Sequence, residues 1–144
     1  MTIFLHAVHT IRPISGQVFD RWADFYANEA MPAMARNGFD VIGAWKLSTG
    51  RMQQDLLLAR FENMVEYEKA SASLGKETQM GKAIAGLFQQ GMELEENVTF
   101  ARPVSYAEER FVEAAMAEKP DNPRQYLLAT LPVKLGGQPR AIEQ

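Results

Sequence analysis

An α+β fold, with helices packed on one face of an antiparallel sheet, is predicted by three observations on this 144-residue chain. Short runs rich in β-branched and aromatic residues alternate with longer stretches of helical periodicity, in the order strand, helix, strand, strand, helix, strand. The two central strand runs are joined by a short loop, which makes them a hairpin and therefore antiparallel. The length suits one domain with a substantial core.

The first strand is IFLHAVHTIR, residues 3–12, closed by Pro13. It holds both histidines of the chain, His6 and His9. A spacing of three puts side chains on one face of a helix but on opposite faces of a strand, so a two-histidine metal site is not expected. One histidine faces a packed layer, which leaves the other for a pocket. The next stretch, SGQVFDRWADFYANEAMPAMARNG, places Val18, Trp22, Phe25, Tyr26 and Ala33 on one apolar helical face. Ser15 is its N-cap and Asn37-Gly38 its C-terminal stop. Pro32 has no N–H for the carbonyl of Asn28, so a kink is expected there.

VIGAWKLSTG and QDLLLARFE form the hairpin, turning at Thr49-Gly50. Asn63, followed three residues later by Glu66, marks a capping box and the start of a second helical region. That region contains Gly75, Gly81, Gly86 and Gly91, and it divides into two helical pieces near Gly75. NVTFARPV, from Asn97, is the fourth strand, stopped by Pro103. The resulting βαββαβ order is the ferredoxin-like arrangement, which leaves one sheet face for something other than its own helices to cover.

Residues 1–104 thus form the ferredoxin-like domain and 105–144 a C-terminal extension. In the extension YAEERFVEAAMAE reads as an amphipathic helix, KPDNPR as a linker and QYLLATLPVKLGG as a strand. Leu127, Ala129, Val133 and Lys134 align with Leu5, Ala7, Ile11 and Arg12, which reads either as an incomplete second repeat or as chance likeness between two short apolar strands.

Composition excludes several functions. A net charge of −3 with scattered Lys and Arg gives no basic stripe for nucleic acid. The absence of cysteine removes disulfides, thiolate nucleophiles and zinc-thiolate sites, and suits a cytoplasmic protein. No window reaches the roughly 20 apolar residues of a membrane span, and no signal peptide is evident. GKAIAG lacks the phosphate-loop spacing, and no GxGxxG follows a strand, so no nucleotide cofactor is expected. Two histidines on opposite faces and no cysteine leave only carboxylates as partners, so no metal site is expected, and haem held through His9 has no specific support; the expected cofactor is none.

Between Tyr26 and Glu66 the sequence resembles the NIPSNAP family. The matching residues are Tyr26, Met31-Pro32, Gly38, Gly43, Trp45, Gly50 and LLLARFENMVE at 56–66, in register without gaps. EENVTFARP at 95–103 and the first strand with Pro13 extend the likeness to about residues 3–103. The resemblance implies a dimeric α+β barrel, two ferredoxin-like units packed sheet to sheet, each leaving a cleft. The wider superfamily includes monooxygenases, isomerases and members with no known reaction, so fold alone does not give function.

At positions where relatives often carry Glu, Arg and an aromatic residue on the first strand, this chain has Leu5, Ala7 and His9. A common first-helix histidine is replaced by Glu29, and a frequent His and Trp on the third strand by Leu57 and Ala59. The resemblance therefore implies a more apolar, roomier cleft, lined by Leu5, Ala7, Tyr26, Trp45, Leu57 and Ala59, suited to a flat or apolar ligand. His9 is the first candidate for proton transfer on the cleft face, and Glu29, aimed inward by the kink, the second. His6 is expected to pack under a helix, and Asp55 to belong to the hairpin end. The reading is a NIPSNAP-like homodimer that binds a small, largely apolar or planar molecule, with cofactor-free enzyme chemistry of monooxygenase or isomerase type as its extension. The alternative is a non-enzymatic dimerisation module with no ligand site.

Overall fold

The computed structural model describes residues 1–47 and 53–103. The Thr49-Gly50 turn and the C-terminal helix and strand expected from the sequence lie outside the described residues. Four strands, β1 (Ile3–Arg12), β2 (Asp40–Lys46), β3 (Gln54–Phe61) and β4 (Glu93–Ala101), form one antiparallel sheet in the order β2-β3-β1-β4. With its helical connections this is the predicted α+β, ferredoxin-like fold.

Alternation decides which face of β1 is covered. Ile3, Leu5, Ala7, His9 and Ile11 are buried, whereas Phe4, His6, Val8 and Thr10 between them are only partly so. The buried set lies beneath the helices, in a core shared with Phe19, Trp22, Phe25, Tyr26, Leu57, Ala59 and Phe61. This corrects the expectation for His6. It stands on the open face of the sheet and His9 on the helix-covered face, because the helices cover the residues that share the parity of Leu5 and Ala7.

The first helical segment begins as predicted, with Ser15 Oγ accepting from the N–H of Val18 at 3.2 Å. It runs as α1 (Gly16–Phe25), a π-helical turn (Tyr26–Ala30) and α2 (Met31–Arg36). The irregularity expected at Pro32 is therefore spread over the preceding turn, where the Met31 N–H bonds back to the carbonyl of Tyr26. The wider turn keeps Trp22, Phe25, Tyr26, Ala30 and Ala33 all buried on the sheet side. Gly38, at φ +88°, then lets the chain enter β2.

Asn63 caps α3 (Met64–Leu74), its Oδ1 accepting from the N–H of Glu66 at 3.1 Å. The break near Gly75 is present, and α4 (Thr78–Gln89) lays Met80, Ala83, Ile84 and Leu87 against the core. β4 starts four residues before Asn97. Gly91 at φ +86° turns the chain directly after α4, and Glu93 and Glu95 then pair with Arg12 and Thr10. Two glutamates are tolerated there because β4 is an edge strand.

Candidate functional site

The covered face of the sheet carries one polar row among apolar ones. Register aligns Lys46 on β2 with Asp55 on β3, Asp55 with His9 on β1, and His9 with Glu96 on β4. The neighbouring row is Ala44, Leu57, Ala7 and Val98. Cross-strand partners lie within side-chain reach, so the row brings alternating charges together across all four strands.

His9 is 3% exposed. Its Nδ1 lies 3.2 Å from Asp55 Oδ2 and its Nε2 3.1 Å from Glu96 Oε1. Both partners are carboxylates, which only accept, so both ring nitrogens donate and the ring is an imidazolium. Burial by itself lowers the His9 pKa, but the hydrogen bonds and charges of Asp55 and Glu96 outweigh it and raise the value to about 9. Glu96 is held below the usual carboxylate range, chiefly by its hydrogen bond to His9 and against the effect of burial.

Aromatic side chains roof this row. Trp22 Nε1 donates to Asp55 Oδ1 at 3.1 Å. The rings of Trp22 and Tyr26 stand 5.4 Å and 5.5 Å from that of His9, both tilted. Tyr26 is buried, and its hydroxyl has no hydrogen-bond partner among the described residues. Burial first, and then the charges of Asp55 and Glu96, push its pKa far above the ordinary phenol value. The hydroxyl stays protonated and is a donor.

Beside the row, between α1 with its π turn and the edge strand β2, opens a cleft of about 200 Å³. Phe19, Trp22, Tyr26, Met31 and Ala44 form apolar walls, Ala23 and Ala27 stand at exposed positions, and Asp55 and Lys46 are at the strand side. The Lys46 ammonium sits 4.5 Å from the Phe19 ring centre. A larger depression, about 530 Å³, lies at the far end of β3 against Asp40, Glu62 and Glu66. Among the described residues none of its lining groups is buried without a partner, and it is distant in the sheet from the polar row, so the smaller cleft is the better site.

Of the residues expected in the site, Tyr26 lines this cleft, and Trp45 borders it from the edge strand β2. Trp45 pairs with Leu56, a register that puts its side chain on the open face, and a Cβ on Gly43 would come within 2.5 Å of its indole ring. Leu5, Ala7, Leu57 and Ala59 do not line the cleft. They are packed core, closed over by large rings such as Phe25 and Tyr26 from the helices. Glu29 is not aimed inward; the π turn leaves it at the surface, where its Oε2 accepts from Gln79 Nε2 at 3.0 Å. His9 does reach the site, but with both nitrogens committed.

Sequence reasoning missed Glu96 and Trp22 as polar partners and placed Asp55 merely at the hairpin end. The signal was the alternation itself: Asp55, Leu57 and Ala59 share one face of β3, and Leu94, Glu96, Val98 and Phe100 one face of β4. A charged residue on an otherwise apolar face needs a partner. Among the described residues, no group of three or more metal-binding side chains could hold an ion, and no helix is long and apolar enough to cross a membrane.

No family model matches the sequence, and no curated protein matches it significantly. Solved structures do. An uncharacterised NIPSNAP-like domain protein from Burkholderia xenovorans superposes with a TM-score of 0.64 at 15% identity, over 74% of this chain and 89% of that one. A NIPSNAP family protein from Agrobacterium tumefaciens gives 0.65 at 14% identity, over 76% and 100%. A dimeric ferredoxin-like protein from an uncultured marine organism gives 0.50 at 11% identity, over 72% and 99%. At these identities the likeness shows the fold, which is NIPSNAP-like and ferredoxin-like.

Proposed function

We propose that this protein is a homodimer that binds a small, flat, largely apolar molecule in the cleft beside α1. The observation that carries the reading is the cleft itself, about 200 Å³ walled by Phe19, Trp22, Tyr26, Met31 and Ala44 with Asp55 at its side. An apolar pocket with few, well-placed polar groups is the usual form of a small-molecule site. An apolar cavity of about 150 Å³ takes benzene, so this one suits a molecule of one or two rings. Binding is favoured over turnover by His9, since a general base needs a free lone pair and the imidazolium has none.

The open sheet face supports the dimer. Phe4, Val8, Leu58 and Trp45 are only partly covered there. A dimer of a related fold exists in the marine ferredoxin-like protein. Naphthalene binding followed by tryptophan fluorescence tests the ligand reading, because Trp22 forms part of the wall. Saturable quenching is expected, weakened about tenfold or more when Ala27→Trp fills the mouth. No saturable binding would leave a dimerisation module without a ligand site.

A further inference from the structure

We propose that the C-terminal extension completes the sheet: residues 126–134 add a strand parallel to β4 along its outer edge, and the helix at 106–118 covers Val98 and Phe100. β4 is nine residues long, and all of them except Leu94 are exposed. On its covered face, Val98 and Phe100 pair with Ala7 and Leu5 of β1. Ala7 and Leu5 are 0% and 5% exposed, whereas Val98 and Phe100 are 43% and 39% exposed. The helical layer formed by the described residues therefore stops one strand short of the sheet edge. Tyr67 on α3 meets the Phe100 ring edge-on, 4.8 Å between centres, and leaves the rest of it uncovered. A long edge strand with apolar side chains is a template for pairing, and native proteins cover such edges.

The chain's own continuation fits that edge, since it leaves β4 at Ala101 and has the extension still to place. The helix at 106–118 spans about 20 Å, and β4 about 30 Å. With the linker KPDNPR making up the difference, the chain returns to the start of β4, and the strand then runs in the direction of β4. Handedness selects the face. β3 and β4 are both antiparallel to β1, hence parallel to each other, and α3 and α4 connect them across the covered face. A further outward step from β4 with the same right hand lays its helix on that face, over Val98 and Phe100. In that helix Phe111, Val112, Ala115 and Met116 share one side. In the strand, Leu127, Ala129, Leu131 and Val133 alternate on one face, and Pro132, which has no N–H to donate, requires an outermost position. The other sheet edge, β2, lies three strands from β4.

Hydrogen exchange on the full chain, read by mass spectrometry, tests the strand: the amides of 126–134 should exchange about a hundredfold or more slower than in an open chain. Exchange at the open-chain rate overturns the proposal. Direction is read by disulfide formation in full-length double variants, since the chain has no cysteine of its own. Thr99 stands near the end of β4, so a parallel strand brings residue 134 beside it and leaves residue 128 about 20 Å back. Thr99→Cys with Lys134→Cys should therefore close within one chain about tenfold or more faster than Thr99→Cys with Leu128→Cys. A tail merely tethered to β4 closes the shorter loop faster, and an antiparallel strand does the same. That order, equal rates or no closure overturns the parallel strand, and closure between chains shows a second copy on the edge instead. The helix is tested by Val98→Thr with Phe100→Thr, which should quicken exchange across 106–118 about tenfold while 3–12 and 54–61 keep their protection. Unchanged exchange at 106–118 overturns the helical cover, as does a loss of protection that extends to 3–12 and 54–61, which would make both side chains part of the core.

Discussion

His9 illustrates how one side chain can couple a sheet together. Its two carboxylate partners stand on the strands to either side, so the imidazolium bridges β3, β1 and β4 at one level. Removing it in His9→Ala leaves Asp55 buried beside Trp22 with its charge uncompensated. The expected loss is about 3–5 kcal/mol in chemical denaturation, the opposite of a side chain serving only ligand binding. The pH dependence follows from the raised pKa. With a value of 6.5 when unfolded and about 9 when folded, His9 contributes about 3 kcal/mol. That contribution is fully present below pH about 6.5 and is lost as the pH rises through about 9. Glu96, shifted downward, contributes above its unfolded value and fades as the pH falls through the folded one. Denaturation midpoints measured across pH should therefore fall on both sides of a mildly acidic plateau that ends near pH 6.5, and His9→Ala should flatten the alkaline limb.

Among the elements, the helix starts are local in origin and the π turn is not. Ser15 and Asn63 cap by contacts with residues three positions ahead, which is why both were legible in the sequence. Asn63→Ala should cost about 1 kcal/mol, read as a lower denaturation midpoint with unchanged far-ultraviolet circular dichroism. The π turn answers to the sheet beneath it. It brings Tyr26 onto the buried face together with Trp22, and both rings reach His9. Pro32 announces an irregular helix but does not say which side chains the irregularity turns inward.

At the scale of the molecule, helices cover one face of the sheet and among the described residues leave Phe4, Val8, Leu58 and Trp45 partly covered on the other. If a second copy covers that face, Val8→Lys places a charge at the centre of the interface, because β1 is a central strand. Sedimentation equilibrium should then report a dimer for the parent chain and a monomer for the variant. A monomeric parent chain would sink the homodimer.

The order of strands and helices, the two helix caps, the break at Gly75 and the βαββαβ arrangement were determined by the sequence alone, since each depends on periodicity or on residues a few positions apart. The opposition of His6 and His9 across the sheet was determined the same way, by the two-residue repeat of a strand. Which of the two lies under the helices was decided only by tertiary structure, because alternation fixes that faces differ without saying which one is covered. The same holds for the site. Lys46, Asp55, His9 and Glu96 lie far apart in the chain and meet through the register of four strands. The apolar residues expected to line a cleft, Leu5, Ala7, Leu57 and Ala59, were instead closed over by aromatic rings from the helices. Close packing fills any space its neighbours can reach, and that reach is a property of the folded chain.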